Sequence, residues 1–210
     1  MIITLSRQTG AGARTIGAEL SRRLGVRVLD MDVRSLVAQR LQTSEEVVTA
    51  LDERLEPSGV RMLRSLGVAV APETGVASGL DLDVTGDDVE RATQEVLLEL
   101  AARESLVIIG RGARWVLGDR PGALHVRLVA PLTLRVDRYM ARETADRKTA
   151  HNRVLSTDRA RAAHVQRYFR VDWNNPENYH LVLNTELLSI STAADLIVAA
   201  ARGLTPGLGR

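Results

Sequence analysis

The sequence predicts an α/β protein whose parallel β-sheet is covered by helices on both faces. Short, uniformly apolar runs alternate along the chain with longer segments in which apolar residues recur every three or four positions. The first pattern is typical of strands buried on both faces, and the second is typical of amphipathic helices. Parallel strands need crossover connections, which helices usually provide. A chain of 210 residues is long enough for one such domain.

Five apolar runs are predicted as the strands of this sheet. The first run is bounded by a glycine-rich loop, and the fourth is stopped by Pro131, which has no backbone N–H for a ladder hydrogen bond. The runs cover Ile2 to Leu5, Val26 to Leu29, Leu106 to Ile109, Leu124 to Val129 and Leu181 to Leu183. Each run is shorter than an ordinary helix, which favours the strand interpretation.

Helices are predicted in the segments between these strands. After the first strand, Ile16, Leu20 and Leu24 recur at intervals of four, and Gly25 follows as a helix stop. The next predicted helix is Val33 to Leu41, and the one after it begins at a cap on Thr43 or Ser44 and includes Leu51. The remaining predicted helices are Asp87 to Leu100, Leu132 to Arg142, Thr157 to Phe169 and Thr192 to Ala201. The segment from Gly67 to Gly86, rich in glycine, is predicted as a loop or mobile insertion.

The composition excludes several kinds of site. Because the chain has no cysteine, it can form neither disulfides nor thiolate zinc sites, and its four scattered histidines lack the close pairing of a metal-binding helix. No apolar run reaches the ~18 residues of a membrane span, and no signal-peptide pattern opens the chain. We therefore expect a cytoplasmic protein without a membrane partner.

Positive charge is concentrated in one part of a chain whose formal net charge is only +2. Between Arg135 and Arg170, nine arginines and Lys148 face four acidic residues. Such a local cluster on a nearly neutral protein suits a small anionic ligand and makes a nucleic-acid partner unlikely. The alternative is that these arginines form an ordinary solvated helix face.

A glycine-rich loop joins the first strand to the first helix. This arrangement is typical of a phosphate cradle, because glycines let backbone N–H groups turn toward an anion at the positive end of the helix dipole. A dinucleotide fingerprint would require glycine at Thr15, and a P-loop would require glycine at Arg7 and lysine after Gly12. With one inserted residue, Arg14 would replace that lysine. A P-loop, a dinucleotide site and a tight turn without an anion all remain open.

The segment from Ile3 to Gly17 resembles the amino-terminal signature of the cytidylate kinase-like family, in which an arginine follows the glycines of a modified P-loop. Further matching motifs follow in order: Gly110 to Ala113, Leu124 to Pro131, Asp158 to Arg161, Trp173 to Tyr179 and Leu183 to Thr185. The resemblance implies a three-layer α/β/α P-loop kinase fold with a five-stranded parallel sheet. It also implies one domain over residues 1–202, with an acceptor-binding or mobile insertion at about 32–86, a helical, arginine-rich lid at about 142–160 and a flexible tail at 203–210.

The resemblance also implies roles for individual residues. The nucleotide-binding set is Arg7, Gly10, Ala11, Gly12, Ala13, Arg14 and Thr15, with Arg14 in place of the P-loop lysine and Thr15 as a Mg²⁺ ligand. The acceptor-binding set is Asp30, Asp32 and Arg111, although either aspartate could instead cap a helix. The catalytic set that stabilises the transferring phosphoryl group is Arg14, Arg153, Arg159 and Arg161.

The expected activity is therefore phosphoryl transfer from ATP, with Mg²⁺, to a small acceptor, most simply a nucleoside monophosphate such as CMP or dCMP. No aspartate or glutamate directly follows the run from Leu106 to Ile109, so no Walker B carboxylate is evident. This feature and the altered P-loop keep open a second hypothesis, a regulatory nucleotide-binding protein with weak or no catalysis. An NAD(P)-dependent reductase is the third hypothesis.

Overall fold

A five-stranded parallel β-sheet forms the centre of the protein in the computed structural model, which describes residues 1–53 and 84–204. The strands are β1 (Ile2–Arg7), β2 (Arg27–Leu29), β3 (Leu106–Ile109), β4 (Ala123–Val129) and β5 (Leu181–Asn184). Their order is β2-β3-β1-β4-β5, and every neighbouring pair is parallel. All five predicted strands are confirmed, with small shifts at their ends.

The central position of β1 explains why Ile2, Ile3 and Leu5 of this strand are buried. Ile3 pairs with Val107 of β3 on one side and with Leu124 of β4 on the other, and its side chain is fully buried. A strand with neighbours on both edges and helices on both faces leaves no position facing water. The dinucleotide-binding fold has the different strand order 3-2-1-4-5-6, so the observed order argues against the reductase hypothesis.

Eight α-helices connect and cover the strands in the described part of the chain. They are α1 (Ala13–Leu24), α2 (Val33–Arg40), α3 (Glu45–Glu53), α4 (Gly86–Arg103), α5 (Ala113–Leu117), α6 (Leu132–Glu143), α7 (Arg147–Phe169) and α8 (Ile190–Arg202). One apolar core, which includes Leu97 and Ile108, packs α2 to α5 against one face of the sheet. A second core, which includes Ile16 and Ile197, packs α1 and α8 against the other face. The three-layer prediction is confirmed.

Helix α7 begins earlier than the sequence analysis predicted. The prediction started at Thr157, whereas the helix starts at Arg147, directly after Asp146. The Asp146 carboxylate accepts hydrogen bonds from the backbone N–H groups of Lys148 and Thr149, which satisfies donors that a helix start leaves unpaired. The first half of α7 lacks a strong apolar stripe, and Ala150 and Val154 pack only against α6. Apolar periodicity therefore missed it.

The predicted insertion at 32–86 is partly helical. Helices α2 and α3 form as predicted, and Val37 and Val48 are buried in the first core. Helix α4 begins at Gly86 through a capping box in which Thr85 and Asp88 each accept a hydrogen bond from the other residue's backbone N–H. Most of the predicted loop from Gly67 to Gly86, and most of the predicted tail, lie outside the described residues.

Within residues 1–53 and 84–204, no helix combines the length and apolar character needed to cross a membrane.

Candidate active site

A cleft of about 480 Å³ opens beyond the carboxyl edge of the sheet. It is bordered by the ends of β1, β2 and β3 and by one side of α7. The connection after β1 leads to β2 at one edge of the sheet, whereas the connection after β3 passes across β1 to β4 on the other side. The connections of the neighbouring strands β1 and β3 therefore run in opposite directions along the sheet, which is a reversal of the strand order. Ligands of open α/β sheets bind at such a reversal, beyond the strands' carboxyl ends.

Arginines dominate the charge of this cleft. Among its described lining residues, eight arginines face three acidic residues: Arg7, Arg14, Arg34, Arg111, Arg114, Arg142, Arg153 and Arg161 against Asp30, Glu90 and Glu143. An excess of guanidinium groups in a concave site attracts multiply charged anions. The cleft therefore has the electrostatic character of a phosphate-binding site.

The loop that connects β1 to α1 has the backbone conformation of an anion cradle. Gly10 and Gly12 have φ values of 84° and 85°, in the left-handed region that favours glycine. Gly12 is the N-cap of α1, and no side chain caps the N–H groups of the first turn. These N–H groups have no intrahelical acceptor and carry the positive end of the helix dipole. Within the predicted segment from Gly10 to Thr15, the N–H groups of Ala13, Arg14 and Thr15 therefore present donors for an anion, whereas the Ala11 N–H already donates to Gln8 O (3.1 Å).

The carbonyl groups of the same loop accept hydrogen bonds from side chains of other elements. Four side-chain donors, three of them arginines of α6 and α7, each hold one carbonyl: Arg161 to Arg7 O (3.2 Å), Arg135 to Thr9 O (3.1 Å), Arg138 to Gly10 O (3.3 Å) and Thr185 to Ala11 O (3.1 Å). A carbonyl dipole directed at an anion would repel it. Fixing these carbonyls elsewhere removes that repulsion and pre-organises the loop before a ligand arrives.

Asp158 of α7 fixes the loop from the other direction. Its carboxylate accepts hydrogen bonds from the Thr9 backbone N–H (2.7 Å) and the Thr9 hydroxyl (2.8 Å). It also forms a salt bridge of 2.6 Å with Arg135, which is almost fully buried. The sequence analysis assigned no role to Asp158 or Arg135. The available sequence signals were that Asp158 belongs to a motif matching the family and that Arg135 lies in the arginine-rich segment.

Close packing explains why glycine occupies position 10. A Cβ atom on Gly10 would lie 2.6 Å from the backbone oxygen of Arg135 and 2.9 Å from its Cα. Backbone atoms of a packed helix cannot move aside as a flexible side chain can. The loop therefore lies directly against α6, and α6 forms one wall of the cradle.

Arg14, predicted to replace the P-loop lysine, is directed toward Asp30. Its Nε lies 2.7 Å from the Asp30 carboxylate, which follows β2, and its side chain is 59% exposed. The residue that directly follows Gly12 is Ala13, which is buried in the core beneath α1. Asp30, predicted to bind the acceptor, lines the cleft, and its carboxylate already pairs with a cation.

A second glycine-rich turn follows β3 on the other side of the cleft. Gly110, Arg111 and Gly112 have φ values of 77°, 58° and 63°, so three consecutive residues are left-handed. This conformation is strained for arginine, and such strain occurs where a functional position requires it. A Cβ on Gly112 would lie 2.7 Å from the ring of Phe169, so α7 also packs against this turn. Arg111 lines the cleft, where the prediction placed the acceptor phosphate.

The remaining predicted residues divide between the cleft and the surface. Arg153 and Arg161 line the cleft. Arg159 is exposed on α7, Asp32 is exposed at the start of α2 without a side-chain capping bond, and Thr15 is exposed on the first turn of α1. These three are not among the described residues that line the cleft. Arg161 of α7 bonds the loop at Arg7 O, and Arg153 faces the cleft from the same helix.

The aromatic residues near the carboxyl end of α7 pack beneath the cleft. Trp173 and Tyr179 are buried, and the guanidinium of Arg127 lies 4.0 Å from the Trp173 ring centroid. Trp173 Nε1 donates to the Ser6 hydroxyl at the end of β1. These contacts give the rings a packing role at the end of β1.

The residues of the cleft do not fit a metal ion held by the protein alone. No group of three or more metal-ligating side chains occurs within residues 1–53 and 84–204. Asp30, the carboxylate that follows β2, is occupied by Arg14. No acidic residue directly follows β3, where Gly110 and Arg111 occur, in agreement with the missing Walker B signature.

Comparisons with known proteins identify the family. A model of the "Cytidylate kinase-like family" matches residues 2–187. The chain is 26% identical to a cytidylate kinase of Natronomonas pharaonis over 98% of this chain and 92% of that protein. It is 25% identical to a cytidylate kinase of Haloquadratum walsbyi over the same shares. It also matches a uronate isomerase of Corynebacterium glutamicum at 28% identity, over 66% of this chain but only 26% of that protein.

Solved structures share the fold. An uncharacterized protein from Eubacterium ventriosum is similar with a TM-score of 0.68 and 20% identity, over 97% of this chain and 99% of that chain. A shikimate kinase from Bacteroides thetaiotaomicron is similar with a TM-score of 0.52 and 14% identity, over 96% and 98%. A phosphate cradle after β1, an arginine-rich cleft at the sheet reversal and a family match over nearly the whole chain agree with one another. This chain belongs to the cytidylate kinase-like family of P-loop phosphotransferases.

Proposed function

We propose that the protein transfers the γ-phosphoryl group of ATP to a nucleoside monophosphate, with CMP or dCMP as the first candidate acceptors. The observation that carries this proposal is the orientation of the loop after β1. Its carbonyls are bonded to arginines and Thr185, and the N–H donors of the α1 start remain available for phosphate oxygens. Relatives that match over nearly the whole chain and are named cytidylate kinase support the choice of acceptor.

The two glycine-rich turns would each hold one of the two substrates. The loop at Gly10 to Thr15 would hold the donor phosphates, and Arg111 would hold the acceptor phosphate across the cleft. A guanidinium can bind a phosphate through two parallel N–H···O bonds, which fixes its orientation as well as its position. With both substrates oriented, an acceptor phosphate oxygen attacks the γ-phosphorus while the bond to the β,γ-bridging oxygen breaks, which yields ADP and a nucleoside diphosphate.

The cleft arginines would stabilise the charge on the transferring group. Arg153 and Arg161 reach the cleft from α7, opposite the loop. Charge spreads over the phosphoryl oxygens in the transition state, and arginines placed there contribute about 10³-fold or more to the rate. Because the protein supplies few acidic ligands, Mg²⁺ would arrive as the ATP complex and belongs to the substrate. A contact from the Thr15 hydroxyl to that ion remains a prediction.

An assay of ADP release tests the proposal. The purified chain is incubated with MgATP and, in turn, CMP, dCMP, UMP, AMP and shikimate, and products are identified by chromatography. We expect the highest kcat/KM with a cytidine nucleotide. Arg111→Met should raise the KM for that acceptor about 10- to 100-fold, because a charge-assisted bond is lost. No acceptor-dependent ADP release would contradict the proposal.

A second candidate is supported by the absence of a cation directly after Gly12. Ala13 is buried there, and Arg14 is paired with Asp30, so the loop could bind a nucleotide without rapid transfer. Calorimetry separates the two functions. Binding of MgATP together with no turnover of any acceptor would favour the regulatory nucleotide-binding protein over the kinase.

A further inference from the structure

The phosphate loop lacks a cation at the position where a P-loop carries its lysine. That lysine would directly follow Gly12, and the residue there is Ala13, which is buried. Arg14, the next residue, has its Nε 2.7 Å from Asp30, and more than half of its side chain is exposed to solvent. A guanidinium neutralised by a carboxylate and screened by water contributes little to a phosphate site. Another residue must therefore supply this charge if the loop is to hold a polyphosphate.

Arg7 has the position and the surroundings for this role. It is the last residue of β1, its side chain is 20% exposed, and it lines the cleft below the loop. Its nearest carboxylate oxygen belongs to Asp30 and is 3.9 Å away, beyond hydrogen-bond distance. Within the described residues, no hydrogen bond is formed by the Arg7 guanidinium. The guanidinium nitrogens remain accessible from the cleft, so its five donors can bond an anion that enters there.

The turn after β3 is shaped around the Arg7 guanidinium. A Cβ atom on Gly110 would lie 1.8 Å from Arg7 Nη1 and 2.9 Å from Arg7 Cζ. Any side chain at position 110 would displace the guanidinium. Arg7 therefore extends from the end of β1 to the end of β3, between the donor loop and the turn that carries Arg111.

We infer that the Arg7 guanidinium, and not that of Arg14, is the cation of this phosphate loop and binds the phosphoryl group that passes between donor and acceptor. The inference rests on the proposed function and deepens it. It also accounts for arginine at the position where a P-loop has its first glycine, because a side chain starting there can reach the space between the two turns.

The electrostatic surroundings of Arg7 agree with this assignment. Burial, together with the nearby guanidiniums of Arg161, Arg111 and Arg14, lowers the pKa of Arg7 to about 9, against the opposing effect of Asp30. The guanidinium is still charged at neutral pH. Its charge is nevertheless unfavourable in the free protein, and a bound phosphate would offset the cost.

Calorimetry on matched variants tests the inference with two probes, MgATP and inorganic tripolyphosphate. Each of Arg7→Met, Arg14→Met and Arg22→Met removes one positive charge. Arg22 pairs with Glu19 on α1, is 70% exposed and does not line the described cleft, so it controls for net charge. We expect Arg7→Met to weaken binding of both probes about 10- to 100-fold. Arg14→Met should weaken it less than about 3-fold, and Arg7→Lys should retain part of the affinity.

Thermal unfolding without ligand distinguishes ligand binding from a structural role. Because Arg7 is repelled by three guanidiniums, Arg7→Met should leave the Tm unchanged or higher while affinity falls. A clear drop in Tm that parallels the loss of affinity would overturn the assignment, as would a larger loss in Arg14→Met than in Arg7→Met. If the wild-type protein binds neither probe, the proposed function fails as well. Binding by the wild type with equal affinity in Arg7→Met refutes the assignment of Arg7 alone.

Discussion

The two turns that border the cleft are held in different ways. The loop around Gly10, which we propose to hold the donor phosphates and call the donor loop, is fixed by side chains from outside, since α6, α7 and Thr185 bond its carbonyls and Asp158 bonds its Thr9 amide. The turn around Arg111, which we propose to hold the acceptor phosphate and call the acceptor turn, is held by backbone hydrogen bonds from Gly110 N to Leu5 O and from Ala113 N to Gly110 O, and by close packing at its two glycines. Side-chain changes at a distance should therefore damage the donor loop, whereas the acceptor turn should respond chiefly to changes in its glycines.

Removing the Asp158 carboxylate should have the largest effect. Asp158→Ala leaves the buried Arg135 without its salt bridge and the Thr9 amide without its acceptor. Breaking a buried ion pair from one side costs about 3–5 kcal/mol. We expect the free energy of unfolding, measured with urea, to fall by about this amount, and ATP binding to weaken.

The matched control is Asp137→Ala. Asp137 pairs with Arg147, and both side chains are more than half exposed, so its loss should cost less than about 1 kcal/mol. Equal losses of stability in the two variants would show that the donor loop does not depend on the Asp158 bridge.

A methyl group at Gly10 should have the next largest effect. Gly10→Ala places Cβ 2.6 Å from the Arg135 backbone oxygen at a φ of 84°, so helix α6 must move. We expect a loss of about 2–4 kcal/mol in the free energy of unfolding, since overpacking and an unfavourable φ add. In Gly25→Ala, where φ is 65° in the left-handed region and no atom lies within 4 Å of the new Cβ, about 1 kcal/mol should be lost. Similar losses at both positions would contradict the close approach of loop and helix.

Lowering the pH should reduce the free energy of unfolding of the sheet that carries both turns. Buried His125 on β4 has its pKa lowered to about 4, chiefly by burial, with Arg114 and His180 adding repulsion. The unfolded chain then binds a proton from pH 6.5 downward and the folded protein does not, so stability is present above pH 6.5 and is lost as pH falls toward 4. Urea unfolding at pH 8 and pH 5 should differ by about 2 kcal/mol from this group.

The tautomer of His125 explains why replacement should remove this pH dependence. Its Nε2–H donates to Gly118 O, because a carbonyl can only accept, and its Nδ1 then accepts from the Thr4 hydroxyl. Protonation would place a proton on Nδ1, so the Thr4 hydroxyl would have to turn from donor to acceptor. The difference between pH 8 and pH 5 should shrink in His125→Gln and persist in His151→Gln, since His151 is exposed. An unchanged pH dependence in His125→Gln would assign the effect to other groups.

The smallest effect concerns two arginines on one helix. Arg153 lines the cleft, whereas Arg159 is exposed and is not among the described residues that line the cleft. We expect Arg153→Met to lower kcat/KM for the best acceptor at least 10-fold and Arg159→Met to lower it less than about 3-fold. Steady-state kinetics of the two variants measures this contrast. A larger loss in Arg159→Met would mean that α7 rotates or shifts when substrates bind.

Much of the fold could be predicted from the sequence because its signals are local. Five apolar runs identified the strands, and helical periodicity identified α1, α4 and α8, since burial on a sheet leaves a regular pattern. The short helix α5 and the first half of α7 were missed because neither has a long apolar stripe. The glycine loop was also found locally, since Gly10 and Gly12 occur between a strand and a helix.

The sequence alone determined that a glycine-rich loop follows the first strand, and that arginines are abundant in the segment from Arg135 to Arg170. Only the tertiary structure decided which guanidiniums face the cleft and which bond the loop. Arg7 and Arg14 look equivalent in the sequence, yet one points at the space beside Gly110 and the other at Asp30. The physical reason is that a side chain's role depends on partners that the fold brings close, such as Gly110 for Arg7 and Asp30 for Arg14, and local sequence patterns carry no information about those distances.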